Sequence, residues 1–271
     1  MGKIRLDSRL AAVASLVRNG STVADIGTDH AYLLAYLLQE GRIKNGIAAD
    51  LRKGPLENAR KTLLDCNQLE NVKLILSDGL DEIKEGDCNE ITIAGMGGIL
   101  IKEILERTSW IFDKNIHIIA QPMTHGEVLR KFLVENGFVI DKEVAATDGK
   151  RHYCIISAYF DAEKKTCENW YAYVGELIKN DDEISGMYIN KVITALEKKL
   201  EAIKNAGIDD IDNIEKTLDD IKRKISEVKN EFFKRKKLYG QAVRLAHSRQ
   251  HNCHIQGRQK GLRICCRVFQ S

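Results

Sequence analysis

The sequence predicts an α/β protein: a Rossmann-like, mainly parallel sheet followed by an antiparallel helical hairpin of coiled-coil type. Three observations predict it. Short β-rich runs alternate with amphipathic stretches across residues 21–160. Small and acidic residues stand at the ends of consecutive strand candidates, where open α/β sheets bind ligands. The second half changes to an apolar spacing of three and four, the seam of paired helices.

The strand candidates are Thr22–Ile26, Gly46–Asp50, Val72–Leu76, Glu90–Ala94 and Ile116–Gln121. Helix-like segments lie between them near Ala31–Glu40, Pro55–Cys66, Gly98–Glu106 and Glu127–Asn136. Pro55 is expected at a first helical position, where its missing N–H costs nothing. This βαβ rhythm requires a sheet covered on both faces. Phe138–Ala145 and His152–Phe160 follow with only the Thr147-Asp-Gly-Lys150 turn between them, an antiparallel hairpin that closes the sheet.

Ile189, Ile193, Leu196, Leu200 and Ile203 then form one seam. Ile211, Ile214, Leu218, Ile221, Ile225, Val228 and Phe232 form a second. Asn205-Ala-Gly207 is a helix stop and Asp209 or Asp210 a new start. The short link favours self-pairing within a monomer; homodimerisation through the seam is the alternative. The expected division is 1–161 for an α/β catalytic domain, 162–246 for the helical domain and 247–271 for a disordered tail.

Composition is ordinary for a soluble chain, with 44% hydrophobic and 30% charged residues. No apolar run approaches the roughly 20 residues needed to span a bilayer. The first ten residues lack the apolar core of a signal peptide. A cytoplasmic protein without a membrane partner is expected. Cys66, Cys88, Cys154 and Cys167 have no metal-ligand spacing and are expected as buried, reduced thiols.

The net charge of +3 hides an asymmetry. All 39 acidic residues precede residue 232, whereas ten of the 42 basic ones follow it, so residues 1–231 carry 32 bases against 39 acids, a net of −7. A nucleic-acid partner would have to be held by local patches.

The first strand ends in Asp25-Ile-Gly27-Thr-Asp29-His30. Gly27 would let the backbone approach a ligand with no Cβ in the way. Asp50, 25 residues after Asp25, can accept both hydroxyls of a ribose. Ser77-Asp78-Gly79 closes the third strand; Asp78 could accept from an adenine amine while Gly79 turns the chain. Together these point to an adenosine-bearing cofactor. Dinucleotide binders need a glycine where Asp29 stands, since a carboxylate repels a pyrophosphate. It is compatible with the ammonium or sulfonium of S-adenosylmethionine.

The fourth strand continues as Ala94-Gly95-Met96-Gly97-Gly98. With Leu6-Asp-Ser-Arg-Leu10, Asp25-Ile-Gly-Thr-Asp-His-Ala-Tyr32, Ser77-Asp-Gly-Leu80, Gln121-Pro-Met-Thr-His125 and Asp148-Gly-Lys150, this resembles the TrmK family of bacterial tRNA (adenine(22)-N1)-methyltransferases, over about residues 4–235. The resemblance implies a class I methyltransferase sheet, S-adenosyl-L-methionine as cofactor and methyl transfer to N1 of an adenine in the D-arm region of tRNA. It assigns the cofactor to Arg9, Asp25, Gly27, Asp29, His30, Asp50, Asp78, Gly79 and Gly95. It brings the target base to Met96, Gly97, Gly98, Gln121, Pro122 and His125, with Lys150 nearby.

N1 of adenine already carries a lone pair, so the chemistry asks for alignment more than for a base. The product is cationic, and Asp29 is the candidate carboxylate that stabilises it. A helix N-cap is an equal reading of Asp29. His30 reads as a wall of the pocket or as a structural histidine, and His125 as a base contact or a loop brace.

Residues 222–246 hold nine bases and two acids. Lys234, Arg235, Lys236 and Lys237 are candidate phosphate contacts, although such runs also arise from solvation and helix-dipole complementarity. His247–Ser271 shows no period, and its Cys253, Cys265 and Cys266 have no zinc spacing with the nearby histidines, so no metal is expected. Two other functions compete: methyl transfer to a different substrate, and RNA binding without catalysis.

Overall fold

The computed structural model describes residues 3–206, 213–231 and Lys234. Its centre is a seven-stranded sheet of order β3-β2-β1-β4-β5-β7-β6. The strands are β1 (Thr22–Ile26), β2 (Asn45–Asp50), β3 (Val72–Leu76), β4 (Glu90–Met96), β5 (His117–Pro122), β6 (Phe138–Asp148) and β7 (Arg151–Phe160). The first five are mutually parallel, and β7 lies antiparallel between β5 and β6. The order reverses between β1 and β4, which opens a crevice at their carboxyl ends.

The expected hairpin closes the sheet, and each expected strand is present. β4 and β5 run further than expected, to Met96 and Pro122, with a register shift between Ala94 and Met96. The helices are α1 (Ser8–Leu16), α2 (Tyr32–Gln39), α3 (Lys53–Asp65), α4 (Gly98–Glu106), α5 (Gly126–Glu135), α6 (Asn169–Val174) and α7 (Glu183–Ala206). α3 begins two residues before Pro55, so the proline stands in the first turn but not at its first position. The turn tolerates it, because no N–H there has an intrahelical partner.

α1 was not among the expected helices. Asp7 caps it by accepting from the Leu10 N–H at 2.7 Å. Its Val13, Ala14 and Leu16 enter a core with Leu34 and Leu37 of α2, Leu63 of α3, Ile119 of β5 and Ile155 of β7. α1 thereby reaches the centre of the sheet, with Arg9 on its first turn.

The chain forms two compact units, Met1–Ile221 and Lys222–Ser271. In the first, packing does not stop at the expected boundary of 161/162. Arg130 of α5 is fully buried and donates to Glu143 of β6 at 2.6 Å, and to the Ala172 and Tyr173 carbonyls at 2.9 and 3.1 Å. Burial pushes the Glu143 carboxyl up, and Arg130 opposes that rise. Such a pair is costly to desolvate and is held by completing its bonds, here with backbone beyond residue 161. Residues 213–221 are also helical, with Ile214, Leu218 and Ile221 buried and Glu215 paired with Lys204 of α7. In the second unit residues 222–231 and Lys234 are helical. The coiled-coil pattern also needs Ile211 and Phe232, which lie outside the described residues. So do Arg235, Lys236, Lys237 and the tail from 247 onward.

Cys66, Cys88, Cys154 and Cys167 are buried free thiols, as expected. Burial pushes the Cys88 thiol up to about 12. Among the described residues no helix is long and apolar enough to cross a membrane, and no cluster of acidic, histidine or cysteine side chains could hold a metal ion.

Candidate active site

The site lies at the carboxyl ends of β1, β2, β4 and β5. Asp25 is buried near the end of β1 and accepts from the Thr92 hydroxyl of β4 at 2.8 Å. Burial raises its pKa to about 6, against the pull of Thr92, Thr28 and Arg9. It is thus a carboxylate without a full counter-charge, suited to a cationic group. Gly27 follows with φ +73°, a left-handed conformation that favours glycine. A Cβ there would overlap the Met96 methyl group, so the glycine makes room for Met96 as well as for the turn. The Gly27 and Thr28 N–H groups donate to the Ala49 carbonyl at 2.8 and 3.1 Å.

Asp29 is not a helix cap. The residue at the start of α2 is Ala31, in a left-handed conformation without a side-chain cap, and its N–H donates to Thr28 Oγ1 at 3.1 Å. That leaves the Asp29 carboxylate 71% exposed, 3.4 Å from His30 Nε2. The His30 ring stacks on Tyr32, with centroids 5.0 Å apart. Asp50 is buried at the end of β2 and accepts from the Arg52 N–H at 2.8 Å through Oδ1. Oδ2 has no partner among the described residues and can accept from a ligand.

Asp78 differs from its expected state. Arg107 donates to its carboxylate and to its carbonyl, both at 2.7 Å, and also meets Asp81 at 3.0 Å. The guanidinium takes one carboxylate oxygen that an adenine amine could otherwise have used. Gly79 turns the chain with φ +62°, and a Cβ there would press on Ile104.

The two loops beyond β4 and β5 are joined. Gly98 N–H donates to the Thr124 carbonyl at 2.7 Å, and Met123 N–H to the Met96 carbonyl at 2.8 Å. A Cβ on Gly98 would overlap the His125 carbonyl. The room left by Gly98 is therefore filled by the protein's own loop and not by a base, which corrects the expectation. Gly97 has only Thr124 Oγ1 nearby, 3.3 Å from an added Cβ. His125 takes φ +53° at the start of α5, and its Nδ1 lies 3.2 Å from Glu127. It braces the loop with an exposed ring. Pro122 ends β5.

Gln121 was expected at the base and is instead fully buried. Its Oε1 accepts from the Gly95 N–H at 3.1 Å and from Arg9 Nη1 at 2.9 Å. Arg9 is thus fastened beside Gly95, whose φ is +84°. Lys150 is exposed at the β6–β7 turn. That turn lies on the same edge as the site, because β7 extends five residues past its pairing of Ile156 with Ala120. Lys234 is exposed on a helix of the second unit.

Two residues escaped sequence reading. Thr92 left a signal: a polar residue within the apolar run Ile91-Thr-Ile-Ala94 of a central strand needs a partner. Arg107 left none.

The strand order, the crevice at β1 and β4 and the carboxylates along it define a class I methyltransferase. A methyltransferase domain family model matches residues 6–156. Over 164 residues the chain is 33% identical to the tRNA (adenine(22)-N(1))-methyltransferase of Bacillus subtilis, covering 60% of this chain and 69% of that one. The chain belongs to the TrmK family. The structure of the B. subtilis m1A22 tRNA methyltransferase TrmK matches with a TM-score of 0.68 at 26% identity, covering 84% of this chain and 98% of that one. M. capricolum TrmK, solved with S-adenosyl-homocysteine, matches with a TM-score of 0.69 at 28% identity, covering 82% and 99%.

Proposed function

We propose that this chain transfers a methyl group from S-adenosylmethionine to N1 of an adenine in tRNA, at the position 22 that names its B. subtilis relative. The observation that carries the reading is the row of carboxylates along the carboxyl edge: Asp25 buried and short of counter-charge, Asp50 buried with one open oxygen, and Asp29 exposed. They suit an ammonium, a ribose diol and a developing cation in turn.

When bound, S-adenosylmethionine supplies an electrophilic methyl group. Asp25, and Arg9 beside Gly95, hold opposite charges, matching the two charges of an amino-acid end. Asp50 accepts from the ribose hydroxyls. Gly27, His30, Asp78 and Gly79 complete the cradle, with Arg107 orienting Asp78. Met96, Gly97, Pro122 and His125 border the approach of the base, and Asp29 stabilises the positive charge that methylation places on the adenine. The target must leave its stack to reach this edge.

Residues 1–161 carry the cofactor chemistry and 162–246 engage the RNA. Lys150 and Lys234–Lys237 contact phosphates. The protein acts as a cytoplasmic monomer.

The test is to incubate the protein with labelled cofactor and unmodified bulk tRNA, then digest the RNA. Labelled 1-methyladenosine is expected. Label in another nucleoside, or none with cofactor still bound, refutes the assigned substrate.

A further inference from the structure

Gln121 lies at the end of β5 with no exposed surface, yet both ends of its amide are used. Oε1 accepts from the Gly95 N–H and from Arg9 Nη1, the cofactor side of the site. Nε2 donates to its neighbour's carbonyl, Pro122 O, at 3.1 Å and to the Met123 sulfur at 3.5 Å. Met123 is 41% exposed. Its main chain is fastened to the Met96 carbonyl, on the loop that contains Gly97. A methionine side chain is unbranched and mobile, and a surface thioether has no reason of its own to stay in one rotamer. Here its sulfur is tied to a buried amide that also holds the cofactor-side loop.

We infer that Gln121 is a positioning residue that sets Met123 as an apolar wall for the incoming adenine, in register with Gly95 and Arg9 on the cofactor side. This rests on the methyl-transfer reading above. A thioether packs well against a flat base and accepts only weakly, so it can hold adenine without competing for N1. Alignment of N1 with the methyl group is where this chemistry gains its rate, so a loosened wall lowers turnover more than cofactor binding.

Gln121→Glu separates the two ends of the amide. The carboxylate keeps an acceptor for Gly95 and Arg9 but has no donor for Pro122 O or Met123. In the full-length protein, affinity for S-adenosyl-homocysteine should stay within about threefold, while kcat on unmodified tRNA falls roughly tenfold or more. Met123→Ala should give a similar loss, and Met123→Leu should recover most of it. The double variant Gln121→Glu/Met123→Ala should be no worse than the poorer single variant, because both remove one contact. A merely structural role would give losses that multiply and that follow thermal stability.

A second readout does not depend on activity. The chain has four methionines, so methyl-labelled Met123 can be followed by NMR. Gln121→Glu should shift and broaden its signal and leave that of Met187 on α7 unchanged. An unmoved Met123 signal, or multiplying losses in the double variant, overturns the inference. If wild-type protein modifies no RNA but the Met123 signal responds, the substrate reading fails and the positioning contact stands.

Discussion

The Thr92 hydroxyl donates to Asp25 across the β1–β4 boundary at 2.8 Å, inside the crevice where the strand order reverses. This bond favours the charged form of Asp25, whereas burial, the larger influence, favours the neutral form. With the balance near pH 6, the carboxylate is half ionised where most carboxylates are fully so. If it receives the ligand's ammonium, binding must strengthen as pH rises through 6. A charge-assisted bond of about 1.5–3 kcal/mol corresponds to tenfold or more in affinity. Calorimetry with S-adenosyl-homocysteine between pH 5 and 7.5 should show that gain. Asp25→Asn should flatten it, and Thr92→Val should move its midpoint above 6. A flat wild-type profile would take the ammonium away from Asp25.

The glycines of the Gly95–Gly98 loop should differ sharply in what they tolerate. Gly98→Ala drives a Cβ into the Thr124–His125 backbone, which cannot rotate away. We expect a loss of about 1–3 kcal/mol in stability, the usual cost of overpacking, together with loss of activity. Gly97→Ala meets only the Thr124 side chain and should leave the fold intact. Gly54→Ala, in α3 with nothing nearby, should be neutral or stabilising. Denaturant unfolding of the three variants checks the order; equal effects would mean that the two loops are not joined as described.

The sheet was legible because its period of two and its turn residues are local properties. The carboxylates Asp25 and Asp50 were legible because each follows directly from the end of a strand. What remained hidden depends on partners distant in sequence. Arg107 reaches Asp78 across 29 positions and Arg9 reaches Gln121 across 112. No spacing rule links such pairs. Gly98 shows the converse failure: a glycine pair reads as space for a ligand, although the space can belong to a neighbouring loop. α1 was missed because its cap and helix lie before the first strand, where no alternation exists to frame them.

At the opposite edge of the sheet, His117 Nδ1 lies 2.7 Å from Glu90 and Nε2 lies 2.8 Å from the Ser157 hydroxyl, which donates to Asp141 at 2.6 Å. Burial alone would lower the histidine pKa, but Asp141 and Glu90 overcome it and raise the value to about 9. A raised pKa means the folded state holds the proton more tightly than the unfolded chain. The contribution is fully present below the unfolded value near 6.5 and is lost as pH rises through 9. It amounts to on the order of 3 kcal/mol. Urea unfolding should therefore show stability falling between pH 6.5 and 9.5, and His117→Gln should remove most of that slope. The affinity for S-adenosyl-homocysteine should not follow it, since the cluster lies at the starts of β4 and β5. A slope unchanged in His117→Gln would place the titrating group elsewhere.

Residues 1–231 carry a net charge of −7, so tRNA cannot be drawn in by the body as a whole. The run Lys234-Arg-Lys-Lys237 is the densest cationic stretch in the chain, and ten bases follow the last acid. Phosphate contacts release counterions, so the binding constant should fall steeply with salt, by close to one unit of logarithmic slope per contact. Replacing Lys234, Arg235, Lys236 and Lys237 with glutamine should weaken tRNA binding and reduce that slope by about 2–3. Affinity for S-adenosyl-homocysteine should not change, because the cofactor carboxylates lie in residues 25–78. Removal of 247–271, which deletes five of the remaining bases, should act in the same direction but more weakly. Filter binding of unmodified tRNA across 50–300 mM salt checks both variants. An unchanged slope after the fourfold replacement would show that these cations serve only to keep this stretch of chain solvated. A complete loss of binding on removing the tail alone would move the RNA contact to residues beyond 246.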